Sequence, residues 1–166
     1  MSAITELVEA NHTYSENFPY AGIPGVPARQ IAVVTCMDCR IDPLRALGLE
    51  VGEANILRNA GGLVTDDVIW SLATSQRKLG TTAVMVIQHS RCGLSTFSDE
   101  EFVAELTQET GQKPPWGPRP YATDQETNIR TALQAIRTSP YLPHRDDVRG
   151  FIFDVDTGQV NEIIPD

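Results

Sequence analysis

Two short clusters in this chain hold residue types that do chemistry: Cys36-Met37-Asp38-Cys39-Arg40 and, further on, His89-Ser90-Arg91-Cys92-Gly93. Thiolates and an imidazole are the ligands zinc prefers. Three such ligands leave the ion a free position for water, which is the arrangement of a catalytic site; four close it into a structural staple. The ligands would be drawn from Cys36, Cys39, His89 and Cys92. A closed site gives Asp38 and Arg40 no role, so catalysis at an open metal is the leading expectation.

The elements that must position these residues are legible as apolar runs. Gln30-Ile31-Ala32-Val33-Val34-Thr35 and Thr82-Ala83-Val84-Met85-Val86-Ile87-Gln88 read as buried strands, each delivering a cluster at its carboxyl end. Asn55-Ile56-Leu57-Arg58 reads as a short strand, and Arg149 to Val155 as a further buried one. The turn signal Asp156-Thr157-Gly158 then predicts a terminal hairpin. Thr65-Asp66-Asp67 opens a helical pattern through Val68, Ile69, Leu72, Ala73 and Leu79, with Thr65 as the expected cap and Gly80 as the stop. Ser98-Asp99-Glu100-Glu101 and Thr123-Asp124-Gln125-Glu126 read as capping boxes of two more helices. Gly111 to Pro120, between them, is a loop. Helices alternating with apolar strands predict an α/β fold: a mainly parallel central sheet flanked by helices, with an antiparallel C-terminal edge strand. Ligand sites in such sheets lie at the carboxyl ends of strands, where Cys36 and His89 fall.

Composition narrows the function. A chain of 166 residues, 41% hydrophobic, suffices for one domain over 1–166 with a proper core. A net charge of -9 argues against nucleic-acid and anionic-membrane partners, which need a basic surface. No apolar stretch approaches a membrane span, and the start lacks the pattern of a signal peptide. Three cysteines do not make a disulfide framework, so the expectation is a soluble cytoplasmic chain. Ile4, Leu7 and Val8 lie on one side of an N-terminal helix from Ser2 to about Asn11, and an aromatic stretch follows through Tyr20. Positions 1–28 therefore read as a helix and arm with little core of its own to cover, which packs either on its own chain or, in a homodimer or a higher even homo-oligomer, on a neighbouring copy.

Blander readings compete with the metal site. Cys36-x-x-Cys39 after a strand matches a redox pair, but Asp38 inside it opposes a lowered thiol pKa, and His89 and Cys92 go unexplained. Burial as small hydrophobes suits any single cysteine better than all three. His12 and His144 sit in polar or loop context and read as surface groups. Trp70, mid-helix, reads as core or interface, and Asp99-Glu100-Glu101 as a solvated first turn.

With these residues in view, the chain resembles the β-class carbonic anhydrases, in the compact form found in bacteria and archaea. Cys-x-Asp-x-Arg followed by His-x-x-Cys-Gly resembles that family's zinc motif pair, and Leu57-Arg58-Asn59-Ala60-Gly61-Gly62 its Arg-Asn-Ala-Gly segment. The resemblance implies one Zn2+ per chain on Cys36, His89 and Cys92, with Cys39 a bystander. It implies that Asp38 and Arg40 are catalytic and that Asp38 is a fourth ligand only in an inactive closed form. Gly61 and Gly62 would adjoin the substrate. The implied reaction is reversible hydration of carbon dioxide to bicarbonate and a proton by a zinc-bound hydroxide; carbonic anhydrase is itself the reference case for zinc lowering the pKa of its water. Hydrolysis of carbonyl sulfide or carbon disulfide on the same zinc is the alternative, and a non-catalytic zinc-binding regulatory module is the alternative of another class. Close relatives usually read His-Thr-Asp-Cys-Gly, so Arg91 reverses a charge beside two ligands.

Overall fold

The computed structural model describes residues 2–119 and 121–164; Pro120, the expected end of the proline-rich loop, lies outside them. In chain order the elements are α1 (Ala3–Glu16), β1 (Ile31–Cys36), α2 (Pro43–Leu47), β2 (Ala54–Asn59), α3 (Asp66–Leu79), β3 (Ala83–His89), α4 (Asp99–Thr110), α5 (Gln125–Thr138), β4 (Val148–Phe153) and β5 (Val160–Ile163). The five strands form one sheet in the order β2-β1-β3-β4-β5. All pairings are parallel except β4 with β5. The α/β architecture with an antiparallel C-terminal edge is therefore as the sequence predicts.

Side-chain alternation divides the sheet into two unequal faces. Ala32, Val34, Val84 and Val86 point toward α3 and α5 and pack with Leu72, Ile129, Leu133 and Ile136. Burying each of these leucines and isoleucines is worth about 1.5–3 kcal/mol, so this face anchors the fold. Gly150 lets α5 approach it: a β-carbon there would lie 2.3 Å from Ile129 Cγ2. Val33, Ile87 and Phe153 line the opposite face with Ile41, where the cover among the described residues comes from Leu47 of the short α2 and from Leu94 and Tyr121. Met85 and Phe151 stay half-buried as a result.

Local chemistry accounts for the helix ends, with corrections. Ser98 and Glu101 form the expected reciprocal capping box of α4, and Gly111 closes it in the left-handed conformation. Thr65 occupies the cap position of α3 but makes no capping hydrogen bond; Asp66 and Asp67 in the first turn still oppose the helix dipole. The cap of α5 is Asp124 rather than Thr123, accepting from the amides of Glu126 and Thr127. The helix α2 went unforeseen, although Asp42-Pro43 and Gly48 are its N-cap, N1 and left-handed C-cap. Trp70 is 68% exposed, so it is no part of the core. The first helix runs on to Glu16, with no buried residue along its length.

Candidate metal centre

The end of β1 delivers Cys36, the end of β3 delivers His89, and the turn after β3 brings Cys92 back beside them. Parallel pairing of β1 with β3 puts both strand ends at the same edge of the sheet. All three residues are buried, and their ligand atoms lie within 4.8 Å of one another. Cys39 is exposed and outside this group. His12 and His144 are exposed, as expected.

The donor set fits a metal cation on the state of its atoms. His89 Nδ1 lies 3.0 Å from the carbonyl oxygen of Ser90, so the proton on Nδ1 is donated there. That tautomer leaves Nε2 with a lone pair, and Nε2 is buried with no hydrogen-bond partner among the described residues. The thiols show the same demand. Cys36 is drawn down to about 4, first by a hydrogen bond from Cys92, against burial, with help from His89 and the backbone amides of Asp38 and Gly61. Cys92 is pushed above the ordinary thiol range by the same contact and by burial. The pair thus accepts one negative charge readily and a second only beside a cation.

Asp38 stands at the rim, its Oδ2 3.7 Å from His89 Nε2. Arg40 holds it with a two-pronged grip: Nε donates to Oδ1 at 2.9 Å and Nη2 to Oδ2 at 2.7 Å. The Arg40 amide adds a third bond to Oδ1 at 2.9 Å. The Arg40 bond, opposed by slight burial, keeps the Asp38 carboxyl well below the usual carboxylate range. It remains an anion and an acceptor at any pH near neutral.

Arg58, to which sequence reasoning gave no role, braces this turn from β2. Its Nε donates to the Cys36 carbonyl at 2.9 Å and its Nη2 to the Asp38 carbonyl at 2.7 Å. An arginine facing a strand end is a weak signal by itself, since it resembles any solvated edge residue. Asn59 pins the next turn, donating to the Leu63 carbonyl and accepting from its amide. Gly61 and Gly62, both at positive φ, follow in a 3-10 turn beneath the metal group. A β-carbon on Gly61 would strike Leu94 Cδ1 at 2.5 Å, and one on Gly62 would press on the Cys36 amide at 3.1 Å. Positive φ favours glycine at both positions, and the tight contact with the Cys36 backbone adds to that at Gly62.

Beyond Gly61, Leu94 and Tyr121 border a mainly apolar cavity of about 260 Å³, whose walls include Phe97, Phe102 and Trp116. Asp99 also lines it and accepts from the Arg119 amide at 3.0 Å, so it does more than solvate a helical turn. The Arg91 guanidinium is matched by the carboxylate of Asp156, which offsets the charge reversal noted in the sequence. Among the described residues, no helix is long and apolar enough to cross a membrane.

Known proteins resemble this chain in sequence and in fold. The sequence profile of the carbonic anhydrase family matches residues 31–160. Beta-carbonic anhydrase 1 of Mycobacterium tuberculosis is 42% identical over 165 residues, covering 99% of this chain and all of that protein. A carbon disulfide hydrolase from Acidianus is 28% identical, covering 97% of this chain and 92% of the relative. The crystal structure of a carbonic anhydrase from Streptococcus mutans superposes with a TM-score of 0.91 at 40% identity, covering 99% of each chain.

Proposed function

Because the chain belongs to the β-carbonic anhydrase family, we propose that it is a zinc enzyme catalysing the reversible hydration of carbon dioxide to bicarbonate and a proton. One observation carries this reading: a buried Cys-His-Cys group with a carboxylate beside it that an arginine holds in place. Cys36, His89 and Cys92 would hold the zinc. The ion, when bound, supplies Lewis acidity that makes water a nucleophile near neutral pH. The ring of His89 is oriented by its bond to the Ser90 carbonyl. Asp38, kept ionised by Arg40, would accept a hydrogen bond from the attacking oxygen and so aim its lone pair at the carbon of the gas. Arg40 also restrains Asp38 from turning onto the metal. The apolar cavity suits a nonpolar gas, and Gly61 and Gly62 let the turn pack closely between Cys36 and the Leu94 and Tyr121 wall of that cavity, beside which the substrate would lie.

Likeness to a carbon disulfide hydrolase supports a second reading, hydrolysis of carbon disulfide or carbonyl sulfide at the same centre. Both are small linear electrophiles open to the same attack. Stopped-flow assays of the zinc-loaded chain with the three gases decide between them. Fast hydration of carbon dioxide, with slower turnover of the sulfur gases, is expected. A zinc-replete chain inactive toward all three points to a non-catalytic zinc-binding module. We assign the chain to the cytoplasm, where its three free cysteines stay reduced.

We further take residues 1–166 as one domain, with 1–28 as an arm that joins two copies. Ile4 and Leu7 on α1 are 75% and 71% exposed, and Tyr14, Phe18 and Tyr20 stack edge to face just beyond. A helix that buries nothing on its own chain has no reason to persist alone. A second copy related by two-fold symmetry would cover it. Light scattering on a chain lacking residues 1–20 is expected to show a monomer where the full chain is a dimer. A stable dimer after truncation refutes the arm.

A further inference from the structure

The loop between His89 and Cys92 has a feature that ligand placement leaves unexplained. Arg91 has a φ of 53°, and Gln30 is the other non-glycine residue at positive φ among those described. This left-handed conformation disfavours an L side chain. In it, the Arg91 carbonyl accepts from Arg40 Nη2 at 3.1 Å, the same nitrogen that donates to Asp38. The Arg91 side chain meanwhile pairs with Asp156 on the turn between β4 and β5.

We propose that the Arg91–Asp156 ion pair is a positioning device for the Asp38–Arg40 dyad. It holds Arg91 in the conformation that presents its carbonyl to Arg40. It also occupies a second guanidinium that would otherwise compete for the Asp38 carboxylate. This inference rests on the reading that Arg40 keeps Asp38 off the metal.

The turn bearing Asp156 is itself built to hold still. The Asp154 carboxylate accepts from the amides of Asp156 at 2.8 Å and Thr157 at 3.1 Å. Two bonds strap that turn to the metal loop: the Ser90 amide donates to the Phe153 carbonyl at 2.9 Å, and the Val155 amide donates to Ser90 Oγ at 3.0 Å. Asp156 thus reaches Arg91 from a fixed base. The two side chains are 62% and 65% exposed, so the pair adds little to overall stability. Its effect lies in choosing one loop conformation over another. An acid at position 91 would have no use for Asp156; an arginine there does.

The test compares Asp156→Asn, Asp156→Glu, Arg91→Gly and Arg40→Ala, each zinc-loaded for kinetics and cobalt-substituted for the ligand-field spectrum of the metal. Asp156→Asn should lower kcat for carbon dioxide hydration about fivefold, the scale an exposed ion pair can sustain. Metal content should stay unchanged, and the cobalt spectrum should move part of the way toward that of Arg40→Ala. Asp156→Glu should restore both. Glycine adopts positive φ unaided and brings no rival guanidinium. In an Arg91→Gly background, Asp156→Asn should therefore add no further loss. Wild-type kinetics and spectrum in Asp156→Asn, or an equal loss in the Arg91→Gly background, overturn the positioning role if Arg40→Ala shifts the spectrum. An Arg40→Ala chain with native spectrum and activity refutes the dyad reading, and the positioning role falls with it.

Discussion

Arg40→Ala is expected to lower carbon dioxide hydration by about a hundredfold while zinc stays bound, the scale seen when one preorganised electrostatic group is lost. The variant loses both side-chain bonds to Asp38 but none of the three candidate metal ligands. Asp38 already lies 3.7 Å from His89 Nε2, so the freed carboxylate would need only a short move to join the group that would hold the ion. Asp38→Ala should fail differently, because the competing ligand and the orienting acceptor vanish together. That chain should be slower yet keep water at the metal, and the crystal structures of the two zinc-loaded variants separate the cases. Lysine at position 40 should rescue only in part, since an ammonium cannot make the two-pronged grip. Near-normal hydration by zinc-replete Arg40→Ala would remove Asp38 and Arg40 from the mechanism.

The second large effect is the contrast between two cysteines three residues apart. Cys36→Ser is expected to lose most of its zinc and with it all measurable hydration, whereas Cys39→Ser keeps about one zinc per chain. Cys36 is buried among the other ligand atoms, and Cys39 is exposed on the turn beyond. Metal analysis after dialysis against a weak chelator measures both. Equal depletion of the two variants would favour the closed four-ligand site.

What the sequence made legible follows the range of the forces involved. The strands β1 and β3 announce themselves as apolar runs, and the parallel pairing of such runs dictates that Cys36 and His89 meet at one edge. The Ser98–Glu101 box is a local bond, so local spacing reveals it. Thr123 and Asp124 are both good caps, and the choice between them depends on where the preceding loop lets the chain enter α5. The short α2 has caps but too few turns for a periodic signal. Contacts between distant segments were beyond reach. The brace of Arg58 on the Cys36 and Asp38 carbonyls depends on the register of β2 against β1. The pairing of Arg91 with Asp156 depends on how the final hairpin turns over the metal loop. The thin cover on one sheet face reflects the length of α2 and the outward course of α1, neither of which hydrophobic patterning records.

The parallel register of β1 and β3 bears on when in the life of the chain a metal can arrive. Between Cys36 and His89 along the sequence lie α2, β2 and α3, and parallel neighbours meet only after such a crossover has folded back. Closing that long loop belongs to the slow, non-local part of folding. Zinc cannot then act as a nucleus, as it does in small domains that stay unfolded without it. Metal in the refolding buffer should leave the rate of folding nearly unchanged and act instead on the return journey, slowing the escape from the native state. Loading would thus be a maturation step on a finished scaffold, whose own core would decide whether the chain survives the wait.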